Sequence, residues 1–175
     1  MLRTRRSDES EMLMTQDTFD LLQLWIKALQ TDLVARPQWM DWAISEIERS
    51  EQPESWICEL ATTATREAAL DILYAATRGS ATTLQWLNDQ MLSLGVLYSR
   101  YGNGQLALDQ LLREAGDQAD RNNALEPSCE TYYALLTELE QGKRPRAAIE
   151  SAVGDLFGQP LLYAKGAFLR ISVEL

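Results

Sequence analysis

Apolar residues recur at helical spacing along almost the whole chain, alternating steps of three and four. Phe19, Leu22, Ile26, Leu29 and Leu33 line one face of a first helix, expected over residues 17–33. Pro37 suits the first turn of a second helix, where its missing N–H costs nothing. Met40, Ala43, Ile44 and Ile47 then follow at i, i+3, i+4 and i+7. Pro53 opens a shorter third helix carrying Trp56, Ile57 and Leu60. The run Thr62-Thr63-Ala64-Thr65 interrupts it, since threonines favour caps and bends.

A fourth helix carries Ala69, Ile72, Leu73 and Ala76 and is expected to end at Gly79. Ser80 is expected to cap a long fifth helix reaching Tyr101, with Leu84, Leu87, Met91, Leu94, Tyr98 and Tyr101 as a seam for a neighbour. Beyond Gly102-Asn103-Gly104, a sixth helix carries Leu108, Leu111, Leu112, Ala115 and Ala119. Pro127 opens a seventh, closed by Gly142, and Pro145 opens an eighth, closed by Gly158. The last residues, "FLRISVEL", alternate apolar and polar with a strand-like period of two. Such a tail docks on the helices, in extended or helical form, or pairs with another chain.

The pattern therefore predicts an all-α fold, a single-domain bundle of about eight helices built from antiparallel hairpins, with solenoid-like stacking as a variant. Residues 1–14 are expected to form a flexible tail and 15–158 the helical domain. Residues 159–175 are expected to form a C-terminal segment, docked on the domain or used in self-association. Within the chain, Leu94, Gly95, Tyr98, Gly102, Ala107 and Leu111 resemble a tetratricopeptide unit. That resemblance implies a hairpin whose two helices approach closely at Gly95 and Ala107. The next hairpin echoes it only in part, at Leu135, Leu139 and Ala148, and starts 41 positions on, against about 34 in regular arrays.

Composition sharpens this picture. The 175 residues are 46% apolar, enough for one core, and 24% charged, which is too mixed for a disordered chain. No apolar run approaches the roughly 20 residues of a membrane span, and no apolar stretch follows the basic start as a secretory signal requires. A cytoplasmic protein is the expectation, and the excess of Arg over Lys suits a bacterial source. Cys58 and Cys129 lie far apart in no ligand-spaced cluster, and are expected to be partly buried free thiols.

The formal net charge is −10, which argues against nucleic acid as a partner. Residues 41–71 hold eight acids against Arg49 and Arg66, a net −6. Such a face steers a basic protein toward it. Trp25, Trp39, Trp42 and Trp56 fall in the same third of the chain. Trp39 and Trp42 flank the apolar stripe of the second helix, so both are expected to be partly exposed. Aromatic anchors amid charge fit a binding hot spot. The candidate partner-binding residues are Trp39, Asp41, Trp42, Glu46, Glu48, Glu51 and Trp56.

The chain has no histidine, which removes Ser-His-Asp and Cys-His catalysis and His-bound metals. No phosphate-cradling glycine loop occurs, and no cofactor, metal or catalytic residue is expected. The leading expectation is a small acidic protein that binds a basic protein partner, as an immunity-type inhibitor, chaperone or adaptor does. One alternative is a metal-dependent enzyme using carboxylate pairs, Glu67 with Asp71 or Glu126 with Glu130. Another is a structural protein that self-associates into a homo-oligomer through its C-terminal segment.

Overall fold

The computed structural model describes residues 14–78, 87–121 and 127–175. Among them it contains eight α-helices, a short 3-10 turn and no strand: α1 (Gln16–Gln30), α2 (Arg36–Arg49), α3 (Ser55–Thr62), α4 (Arg66–Thr77), α5 (Asp89–Gly102), α6 (Leu108–Arg121), α7 (Cys129–Glu140) and α8 (Arg146–Phe168). The protein is an all-α helical bundle. No described helix is long and apolar enough to cross a membrane.

Local chemistry explains several helix ends. Thr15, Thr65 and Asn88 cap α1, α4 and α5, each side chain accepting a backbone N–H from the first turn. The expected helix start at Ser80 and stop at Gly79 lie outside the described residues, as do Leu84 and Trp86. The described α5 begins only at Asp89, behind the Asn88 cap. Gly104 and Gly142 take positive φ of 72° and 62° just past α5 and α7. There each lets two backbone N–H groups turn back onto the last carbonyls of its helix. Asp32 and Ser172 do the same after α1 and the 3-10 turn, at φ of 55° and 57°. Asp32 therefore ends α1 three residues before the expected Leu33.

The largest departure from expectation is α8. Gly158 does not close it: the helix passes through Gly158 and Pro160 and continues to Phe168. Pro160 is buried, and there the reason is tertiary. An ideal Cβ on Gly95 would stand 2.4 Å from the Pro160 carbonyl oxygen and 2.5 Å from the Ala164 Cβ. The absence of a side chain at 95 lets α5 and α8 meet backbone to backbone. They run antiparallel, with Tyr98 stacked 5.2 Å from Phe157 and the Tyr101 hydroxyl 3.4 Å from Glu150.

Two apolar cores lie along this pair. One joins α1–α4 with Leu92 and Val96 of α5 and Ala164 and Phe168 of α8. The other joins α6 and α7 with Leu94 and Leu97 of α5 and Ile149, Val153 and Phe157 of α8. The close approach expected at Gly95 is present, but against α8 rather than the neighbouring α6. Ala107 is exposed and precedes α6, so the tetratricopeptide-like spacing does not organise the packing. The two-residue alternation of the tail does not form a strand either. Leu169–Ile171 coil into a 3-10 turn, Ser172 reverses the chain, and Ile171 and Val173 enter the first core.

Between α6 and α7, Gly116 leaves room for the Tyr133 ring, whose hydroxyl donates to Asp117 at 2.6 Å. That bond is the main reason the Tyr133 phenol is pushed up to about 12. Burial alone pushes Tyr132 up to about 12, its hydroxyl enclosed without a partner among the described residues.

Two outcomes follow from this packing. Gly95→Ala should destabilise the fold by about 1–3 kcal/mol, because backbone on α8 must move. Gly154→Ala, where the new Cβ meets only Tyr98 Oη at 3.6 Å, should stabilise by about 0.5–1 kcal/mol through helix propensity. Urea midpoints of the two variants check the contrast. Raised tyrosine pKa values mean that the native state holds its phenol protons more tightly than the unfolded chain. Their contribution is thus complete below the ordinary value of 10.0 and is lost as pH rises through about 12. Tyrosinate absorbance should show both groups titrating late, and Asp117→Asn should return only Tyr133 toward its ordinary value.

Candidate functional site

The tryptophan-rich segment folds into a cluster shared by α1, α2 and α3. The Trp42 ring sits 4.9 Å from Trp25, tilted by 51°, and 5.9 Å from Trp56 in a near-parallel stack. Helical geometry places Trp39, Ala43 and Glu46 on the inward side of α2, and the short α3 brings Trp56 up against it. Trp25, Trp39 and Trp56 are buried, and Trp42 is half-buried. The expectation of partial exposure therefore holds for Trp42. It fails for Trp39, which is only 3% exposed because its ring points between the helices. The indole N–H groups of Trp25 and Trp39 have no partner among the described residues. That of Trp56 donates to Glu54 at 2.8 Å, and the same carboxylate accepts the Thr18 hydroxyl at 3.2 Å.

The acidic residues divide into two groups. Glu46 is partly covered and paired with Arg49 at 2.8 Å, and Glu54 is spent on Trp56 and Thr18. Arg66, counted as a neutralising charge within the acidic segment, pairs instead with Asp32. Asp41, Glu48 and Glu51 are exposed, with no ion-pair or hydrogen-bond partner among the described residues. Asp41 and Glu48 share one side of α2 with Ile44, which is 42% exposed. Ile44 was assigned to the buried face on spacing alone. It lies at the edge of the i, i+3, i+4 stripe, and no element among the described residues covers it fully.

A cleft of about 340 Å³ separates α2 from the C-terminal tail. Asp41, Trp42, Ser45, Glu46 and Arg49 form one wall, and Arg170, Ile171, Ser172 and Val173 the other. Arg170 is the residue here that sequence reasoning missed. It is held by Asp20 at 2.8 Å and Asp17 at 3.1 Å on α1, and so clamps the tail beside α2. In the sequence it reads only as a polar step in an alternating tail. Of the candidate residues, the fold thus brings Asp41, Trp42 and Glu46 together in one cleft. It leaves Glu48 and Glu51 on the open surface and buries Trp39 and Trp56 in the first core. A larger polar cleft of about 490 Å³, lined in part by Gln30, Thr31, Arg100, Asn103 and Gln105, contains none of the candidate residues.

The remaining candidates are dispersed. Glu67 and Asp71 are both exposed on α4, and Glu126 lies outside the described residues. Among the described residues, no group of three or more cysteines and carboxylates is placed to hold a metal ion. Cys58 is exposed, against expectation, while Cys129 is half-buried with its Sγ 3.8 Å from Asp120. The site so defined is an aromatic, acid-rimmed surface on a helical bundle. Compared with protein-family models, curated proteins and solved structures, the chain matches none.

The division between inner tryptophans and outer acids has a direct readout. Trp39→Ala should cost about 3–5 kcal/mol by opening a cavity in the core. Glu48→Ala should change stability by less than about 0.5 kcal/mol, as for other exposed positions. Thermal unfolding of both variants measures the difference.

Proposed function

We propose that this protein acts by binding a basic partner protein through the exposed side of α2, without chemistry of its own, as an immunity-type inhibitor, chaperone or adaptor does. One observation carries the reading: Asp41 and Glu48 are exposed on the same side of α2 as the exposed Ile44, Glu51 is exposed just past the helix end, and none of the three acids has a partner among the described residues. Carboxylates needed for the fold would be paired or bonded, as Glu46 and Glu54 are. Unpaired acids around an apolar side chain combine long-range attraction for a cationic surface with a contact that excludes water. The net charge of −10 adds to the attraction. Trp39 and Trp56 serve this reading from below, by fixing the orientation of α2 and of the Trp42 ring.

The test is affinity capture from the native host with the wild-type protein and with the triple variant Asp41→Lys, Glu48→Lys, Glu51→Lys, followed by mass spectrometry. The expected result is a basic protein retained by the wild type, released by added salt and lost from the variant. Circular dichroism should show the same helix content for both proteins. A partner retained equally by the triple variant sinks the proposal.

A further inference from the structure

The outward side of α8, with the first residue of the 3-10 turn that follows it, carries a pattern that the bundle does not use. Ser151, Asp155, Gly158, Leu162, Lys165 and Leu169 follow one another at spacings of four, three, four, three and four, so they fall in a single stripe. Leu162 is 65% exposed and Leu169 64%, the most exposed large apolar side chains described. Ser151, Asp155 and Lys165 are exposed as well, and neither Asp155 nor Lys165 has a partner among the described residues. A Cβ placed on Gly158 would meet nothing within 4 Å, so an open notch lies one turn before Leu162. The buried residues of α8, among them Val153, Phe157, Pro160 and Ala164, face the other way, into the two cores.

The stripe is complementary to its own reverse. Turned end over end about a two-fold axis beside position 160, every stripe position falls on another stripe position. Asp155 then meets the partner's Lys165, Leu162 meets the partner's Gly158, and Leu169 meets the partner's Ser151. Each pairing sets opposite charges together or a large side chain against a small one. An isologous dimer requires this self-complementarity, and a seam of alternating fours and threes is the one along which two helices interlock. We infer that a second copy of this chain docks on the outward face of α8, forming an antiparallel α8–α8 dimer in this register. Of the alternating tail only Leu169 joins this contact, because Ile171 and Val173 are already buried against their own chain. The proposal does not depend on the basic partner of α2.

Sedimentation of the full chain over a concentration series tests it. The wild type should show a monomer–dimer equilibrium. Asp155→Lys alone and Lys165→Asp alone should each raise the dimer dissociation constant at least about tenfold, since each sets like charges opposite each other. An equimolar mixture of the two variants makes both cross-pairs opposite in charge again, and should recover dimers of wild-type affinity. Leu162→Glu should be monomeric, with helix content unchanged by circular dichroism. A wild type that stays monomeric at the highest concentration, or a mixture that associates no better than either variant alone, overturns the inference.

Discussion

The contact of Gly95 with the Pro160 carbonyl and Ala164 is the constraint on which the rest of the structure depends. At this crossing α5 contributes no side chain and α8 only the Ala164 methyl, so the other side chains must find neighbours elsewhere. On α5 they do so in two directions: Leu92 and Val96 turn to one core, Leu94 and Leu97 to the other. Proline inside a helix forfeits one backbone hydrogen bond. Here its turn is buried against a helix with no side chain at the crossing. Packing on both sides of the pair makes α8 long and continuous where local rules favour a stop.

The first core solves a different problem, the burial of indoles in short helices. Trp42 lies against both Trp25 and Trp56, so α1, α2 and α3 share one aromatic contact. Glu54 completes it by accepting from Trp56 and Thr18, drawing the start of α3 toward the start of α1. Arg170 then ties the chain terminus to Asp17 and Asp20. The acidic segment is thus not one electrostatic object. Some carboxylates hold helices together at close range, and others remain hydrated on the outside of α2, where screening is stronger and individual ion pairs are worth little.

Much of the fold was legible in the sequence. The apolar period, the prolines at helix starts and the glycines past α5 and α7 are local signals, and local backbone chemistry answers them directly. Gly158 misled because glycine ends a helix only where the chain turns into the left-handed region, and no neighbour demands that turn within α8. The "FLRISVEL" alternation left a helical or extended docked tail open, and the tail docks in helical form because a two-residue period needs a sheet edge, and the described residues offer none. The candidate site was legible in part. Clustering of tryptophans and acids located the surface, but which indole lies inward depends on where α3 and the tail come to rest.

By itself, then, the sequence determined that the chain is helical, roughly where its helices begin and end, and that its first third is both aromatic and acidic. Periodicity and capping are properties of a few neighbouring residues, so they survive without knowledge of the rest. Only the tertiary structure decided that Gly95 serves α8 and not α6, that Trp39 is core while Ile44 is surface, and that Arg170 stands beside Asp41 and Trp42. Those facts join residues far apart in the chain. They follow from how whole helices are packed to bury apolar area, which no local pattern encodes.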